Sequence, residues 1–180
     1  MRRRRMADDL KDLIRSVPDF PKKGIVFRDI TTLLKAGPGF RRVVNALSTE
    51  CEKRQPDVIL AIESRGFVLG GAVSYRLGLP LVPARKPGKL PAKTAKEEYE
   101  LEYGKDCIEV HVDSIQPGQK VIILDDLLAT GGTALAAARL VEKLGGKVVG
   151  LLFLIELEFL KGRERLKNYD VVSLIKYDSE

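Results

Sequence analysis

Histidine, cysteine and tryptophan are scarce in this chain. Of its 180 residues one is histidine, His111, two are cysteines, Cys51 and Cys107, and none is tryptophan. A single histidine excludes a multi-histidine metal centre, and His111 stands in an alternating, strand-like stretch, which suits a structural residue. Two cysteines without a CxxC spacing exclude a disulfide framework and a cysteine-rich zinc site. Long apolar runs are missing as well. The longest, Val148–Ile155, is interrupted by Gly150 and soon meets Glu156, so it reads as a buried strand and not a membrane span. The N-terminal basic run lacks the apolar stretch of a secretory signal. The expected compartment is the cytoplasm, with no membrane association.

Charge of one sign is also less abundant than it first looks. The formal net charge is +6, but four of the positive charges sit together in Arg2–Arg5, ahead of a second methionine, Met6. The body of the chain is close to neutral, so nucleic acid is not expected as a partner. Residues 1–7 read as a disordered basic tail or an appended segment, with a polyanion-binding arm as the minor alternative. Residues 8–180 are of a length that suits one domain with a sizeable core.

Apolar runs alternate with helix-spaced segments along the body. Runs at 57–62, 80–84, 120–124 and 148–155 are candidate central strands, and Val171–Ile175 is a further one. Helices are expected over Asp8–Ser16, Phe40–Lys53, Gly66–Leu77 and about Thr133–Leu144, the last stopped by Gly145-Gly146. Gly24–Ile30 is a short strand or loop. Pro87–Lys96 suggests an exposed loop, followed by a hairpin with arms Glu97–Tyr103 and Cys107–Val112. This order implies right-handed βαβ units: an α/β fold with a central, mostly parallel sheet flanked by helices.

One stretch carries chemistry. In VIILDDLLATGGT, residues 121–133, a core strand runs into two adjacent acids, Asp125 and Asp126, and a small-residue turn opens a helix. Ligands of parallel sheets bind beyond the carboxyl ends of strands. The first N–H groups of a helix have no intrahelical partner, and its dipole favours an anion. Gly131 and Gly132 let backbone approach that anion, while Thr130 and Thr133 add hydroxyl donors. Neither a Walker nor a Rossmann glycine pattern is present. Carboxylates repel phosphate, so the two acids should face hydroxyls instead. The stretch therefore reads as a site for a phosphorylated ribose.

This stretch resembles the phosphoribosyl-pyrophosphate motif of the type I phosphoribosyltransferases. DFPKKGIVFRDIT, ESRGF, RKPGKLP and YELEYGKD stand in the order of the adenine-specific branch of that family. The resemblance implies the type I fold with a small N-terminal hood, about 18–35, and a mobile catalytic loop, about 87–105. It implies transfer of the phosphoribosyl group to adenine, giving AMP and pyrophosphate, in purine salvage, with Mg2+ as cofactor and a homodimer as the assembly. Asp125 and Asp126 match the ribose-binding acids, and Ala129, Thr130, Gly131, Gly132 and Thr133 match the 5-phosphate loop. Ser64, Arg65 and Gly66 match the pyrophosphate loop, which in this fold often carries a non-proline cis peptide. Lys86 and Lys89 are candidates for further pyrophosphate contacts, and Arg85 for a contact in the partner subunit's site. Phe27 would stack on adenine, with the backbone of Val26 and Arg28 on its edge and Leu128 beside it. Glu102 and Tyr103 match a catalytic pair. Charge alone does not choose Glu102 over Glu97, Glu98 or Glu100. Another purine base, or a regulator that keeps the sugar-phosphate site, are the competing readings. The metal would be held mainly by substrate oxygens.

Overall fold

The computed structural model describes residues 10–101 and 104–179. Nine strands are described: β1 (Arg15–Val17), β2 (Phe27–Asp29), β3 (Val58–Ile62), β4 (Leu81–Ala84), β5 (Thr94–Leu101), β6 (Gly104–His111), β7 (Lys120–Leu128), β8 (Lys147–Leu157) and β9 (Val171–Tyr177). The helices with both ends described are α1 (Thr31–Lys35), α2 (Gly37–Glu52), α3 (Arg65–Leu77), α4 (Gly132–Lys143) and the single turn α5 (Gly162–Arg165), and Glu158–Leu160 forms a 3-10 turn.

The central sheet has the order β4-β3-β7-β8-β9, and every pairing in it is parallel. Neighbouring strand residues divide between two cores, as the alternation of a pleated strand requires. Leu60, Ile123, Leu151 and Phe153 face α4. Ile59, Ile122, Leu124 and Leu152 face α2 and α3 through Leu47, Val43 and Leu69. Gly70 lets α3 settle close to the sheet, since a Cβ there would meet the Ala61 Cβ at 2.6 Å. The chain goes from β3 out to β4 at one edge and returns to place β7 on the other side of β3. The switch in strand order therefore lies between β3 and β7, and a crevice opens beyond their carboxyl ends.

Several expected boundaries change. Helix over Asp8–Ser16 does not hold in its second half. Leu10 and Lys11 are helical, but Arg15–Val17 pairs antiparallel with Phe27–Asp29. Tertiary partners override the local periodicity there: Arg15 Nη2 reaches Asp29 Oδ2 at 2.5 Å, and its backbone N–H donates to Thr32 Oγ1 at 3.2 Å. Helix α2 starts at Gly37, with Pro38 in its first turn, where a missing N–H costs nothing. The hairpin arms are longer than expected, so Thr94–Lys96 is strand and not loop. Gly104 and Asp106 lie in β6 and not in a turn. The core strand does not end at its acids. β7 continues through Asp125 and Asp126 to Leu128, because β8 pairs with it that far, whereas β3 accompanies it only to Leu124.

Candidate active site

Where β3 stops, the side of β7 is uncovered, and the acids stand there. Asp126 is 5% exposed. Its backbone N–H donates to Asp125 Oδ1 at 2.8 Å. Burial, and then the neighbouring Asp126 charge, push the Asp125 carboxyl well above the usual carboxylate range. Across the crevice the Glu63–Ser64 peptide is cis, and α3 begins at Arg65. Gly66 is pressed onto the acids: a Cβ there would lie 2.9 Å from Asp125 Oδ1 and 3.1 Å from the Leu124 carbonyl oxygen. Arg65 donates its Nε–H to Asp126 Oδ2.

A cavity of about 310 Å³ lies between these loops, lined by Ser64, Arg65, Lys86, Asp125, Asp126, Ala129 and Thr133 together with Glu63 and Tyr99. A smaller concavity of about 70 Å³ is formed by the turn itself, Leu128–Thr133. Gly131 has φ +80, which glycine adopts without strain. No side chain caps α4, so its N-terminus suits an anion.

Two other groups adjoin residues of that lining, through Arg65 and Lys86. Phe27, in the small β1–β2 sheet, meets Phe20 edge-on at 5.3 Å between ring centroids. The Arg65 guanidinium lies 5.1 Å from the Phe27 ring centroid. The Arg28 side chain turns away, over the Tyr177 ring at 4.0 Å and onto Ser16 Oγ at 2.5 Å. Opposite, the β5–β6 hairpin delivers Tyr99 and Asp106. The Lys86 ammonium donates to both, to Tyr99 Oη at 3.0 Å and to Asp106. Burial opposes the charge on Lys86, but these partners outweigh it and raise its pKa.

Arg85 and Lys89 do not line the cavity. Both end on Glu63: Lys89 Nζ at 2.6 Å and Arg85 Nη2 at 3.3 Å, with the Lys86 N–H at 3.0 Å. Burial works against the Glu63 charge, but the Lys89, Lys86 and Arg85 hydrogen bonds prevail and bring its pKa down to about 2. Glu63 and Asp106 were not singled out from the sequence. Glu63 directly precedes the Ser64–Gly66 motif, and that adjacency was the available signal. Asp106 closes the YELEYGKD motif, and that membership was its signal. Leu128 is buried and lines the turn. His111 accepts the Ala92 N–H at 3.4 Å and stands apart from the cavity. Glu102 and Tyr103 lie outside the described residues.

Comparison with known proteins decides the class. Residues 31–179 match the family profile of the phosphoribosyl transferase domain. The adenine phosphoribosyltransferase of Desulfitobacterium hafniense is 59% identical over 95% of this chain and 99% of its own. The chain belongs to the adenine phosphoribosyltransferase family. Among solved members, the Thermoanaerobacter pseudethanolicus enzyme superposes with a TM-score of 0.93 at 54% identity, covering 95% of this chain and 99% of that one. The Saccharomyces cerevisiae enzyme, solved with adenine and an imino-altritol bisphosphate, gives 0.89 at 40% identity over 94% and 98%. Membership makes this chain an enzyme of phosphoribosyl transfer with the type I fold.

Proposed function

We propose that this chain transfers the 5-phosphoribosyl group of phosphoribosyl pyrophosphate to N9 of adenine, releasing AMP and pyrophosphate, as a cytoplasmic purine-salvage enzyme. The reading rests on one arrangement. The cavity at the strand switch joins an uncapped helix N-terminus, two adjacent acids and the Ser64–Gly66 loop, and Arg65 links it to the Phe27 ring. In this reading Ala129–Thr133 hold the 5-phosphate, Asp125 and Asp126 the ribose hydroxyls, and Ser64, Arg65, Gly66 and Lys86 the pyrophosphate. Phe27 stacks on the base, and the Val26 and Arg28 backbone meets its edge. That role agrees with an Arg28 side chain committed elsewhere. Lys89 and Arg85 join the pyrophosphate only by leaving Glu63.

Among the described residues no three His, Cys, Asp or Glu side chains converge on a metal position. The donor set fits a magnesium ion carried largely by substrate oxygens and water, with Asp125 and Asp126 beside it. Bound there, such an ion would neutralise pyrophosphate charge. The chain's own contribution is positioning, which can supply on the order of 7–11 kcal/mol. The acids hold the ribose as positive charge grows at C1, and the base waits on Phe27. Glu102 would exchange a proton at the purine N7 with Tyr103 beside it, and the 87–105 segment would exclude water that could trap the ribosyl cation.

A homodimer is part of the proposal. Val68 and Tyr75 on α3 and Leu81 on the edge strand β4 are exposed side chains with large apolar surface, Tyr75 at 92%, and the proposal gives them to a second copy of the chain. No described helix is long and apolar enough to cross a membrane.

The deciding experiment mixes the protein with phosphoribosyl pyrophosphate, magnesium and equimolar adenine, hypoxanthine, guanine and xanthine. AMP as the nucleotide formed is the expected result. IMP or GMP would keep the sugar site and overturn the adenine assignment. Sugar-phosphate binding without any nucleotide would favour a regulator.

A further inference from the structure

Gly162 approaches the 129–133 turn more closely than any side chain would allow. A Cβ built on it would lie 2.2 Å from the Ala129 carbonyl oxygen, and one built on Gly131 would lie 2.6 Å from the Gly162 carbonyl oxygen. Backbone rests on backbone, so the turn that opens α5 is the floor beneath the candidate phosphate loop.

The next residue anchors that floor. Arg163 donates Nε–H to Glu156 Oε1 at 2.7 Å and Nη2–H to Oε2 at 2.8 Å. Its Nη1–H reaches the Val171 carbonyl oxygen at 2.8 Å. Glu156 is 3% exposed, and on β8 it stands in register with Leu128, the residue before the turn. Burial opposes its charge, but the Arg163 hydrogen bonds prevail and lower its pKa. The guanidinium therefore ties the floor to β8 and β9 at once. A buried ion pair adds little net stability compared with apolar packing. A planar, bidentate fork does fix orientation.

We propose that Arg163 and Glu156 are positioning residues for the 5-phosphate: their paired side chains seat Gly162 under Ala129 and Gly131 and so hold the N–H donors at the start of α4 in place. The inference rests on the phosphoribosyl reading above and deepens it.

Calorimetric titration tests it with two ligands, ribose 5-phosphate and magnesium pyrophosphate. Arg163→Lys keeps the charge and loses the fork. Gly162→Ala keeps the ion pair and blocks the contact. The isosteric Glu156→Gln keeps the strand packing. Each is expected to weaken ribose 5-phosphate binding, the first two by about tenfold or more, the loss that follows when a charge-assisted N–H bond to the phosphate is misaligned. Magnesium pyrophosphate binding should stay as in the wild type, because that ligand is assigned to the Ser64–Gly66 loop. Arg54→Lys, in an ion pair with Asp170 and Glu50, is the control: it should lower the melting temperature and leave both affinities unchanged. Equal losses for both ligands would reduce the pair to a general structural role and overturn the inference, as would unchanged ribose 5-phosphate binding. A wild-type protein that binds no ribose 5-phosphate would overturn the functional reading itself and this inference with it.

Discussion

Arg65 and Asp126 form an ion pair across the crevice between β3 and β7. The same guanidinium lies over Phe27. One side chain therefore touches the acid assigned to ribose and the ring assigned to adenine, while its backbone belongs to the loop assigned to pyrophosphate. Lys86 is held by Asp106, and Arg85 and Lys89 by Glu63. Every cation assigned to pyrophosphate thus has a carboxylate of the chain as its partner, and an anionic substrate must take over those partners to bind.

Removing Arg65 should therefore cost turnover far more than stability. Asp126 would lose its partner, but Arg65 is partly exposed and water can replace it, so Arg65→Ala should destabilise by about 1 kcal/mol. Loss of an oriented donor at the leaving group should lower kcat/KM for phosphoribosyl pyrophosphate by on the order of 100-fold. Arg65→Lys restores a charge without the fork and should recover only part of that. Steady-state kinetics decide it, and an unchanged kcat/KM would remove Arg65 from the site.

Asp125 should show the opposite balance. Its carboxyl is held above its ordinary pKa of 3.8 by burial and by Asp126. An acid whose folded pKa is raised weakens the fold at pH above that pKa, and the penalty disappears below the unfolded value. Asn can still accept the Asp126 N–H. Asp125→Asn should therefore melt higher than wild type at neutral pH, with the gain fading as the pH falls towards 3.8. It should also bind phosphoribosyl pyrophosphate more weakly, having lost an acceptor for ribose hydroxyls. Melting curves across pH, paired with titrations, test both halves. A variant that melts lower than wild type at neutral pH would contradict the strained acid.

Glu63 shifts the other way, from an ordinary 4.5 to about 2. A depressed folded pKa gives stability that is full above 4.5 and is lost as the pH falls through the folded value. Wild-type melting temperature should fall between about pH 4.5 and pH 2, and Glu63→Gln should flatten that slope. Asp29, lowered to about 2 chiefly by Arg15 and then by Thr31, should leave a residual slope in the variant. Equal slopes in the two proteins would show that the Glu63 contacts do not persist in solution.

The candidate sugar site could be proposed from the sequence because it is local. Asp125 to Thr133 is one strand end and one helix start, and periodicity with turn chemistry reads both. The central strands were legible for the same reason, since burial on two faces leaves near-continuous apolar runs. Glu63 and Asp106 were not legible as anchors, because their partners come from β4 and its following loop, and a lone carboxylate in a sequence is usually a solvated charge. Arg15–Val17 failed for a related reason. Its strand exists only because Phe27–Asp29 lies beside it, and a helical spacing over Asp8–Ser16 carries no trace of that neighbour.

Phe27 offers the sharpest test of base recognition. Its ring meets Phe20 edge-on and carries the Arg65 guanidinium over it, and it is only half-buried, which agrees with the proposed stacking on a base. Stacking of a base on an aromatic ring is worth about 1–3 kcal/mol. Phe27→Ala should therefore raise the KM for adenine by roughly 5- to 150-fold. The KM for phosphoribosyl pyrophosphate should move little, because Arg65 keeps Asp126 as its partner when the ring is gone. Phe27→Tyr retains the π-face and should stay close to wild type. Had Phe27 been simply a core residue, truncation would lower the melting temperature and leave the ratio of the two KM values unchanged.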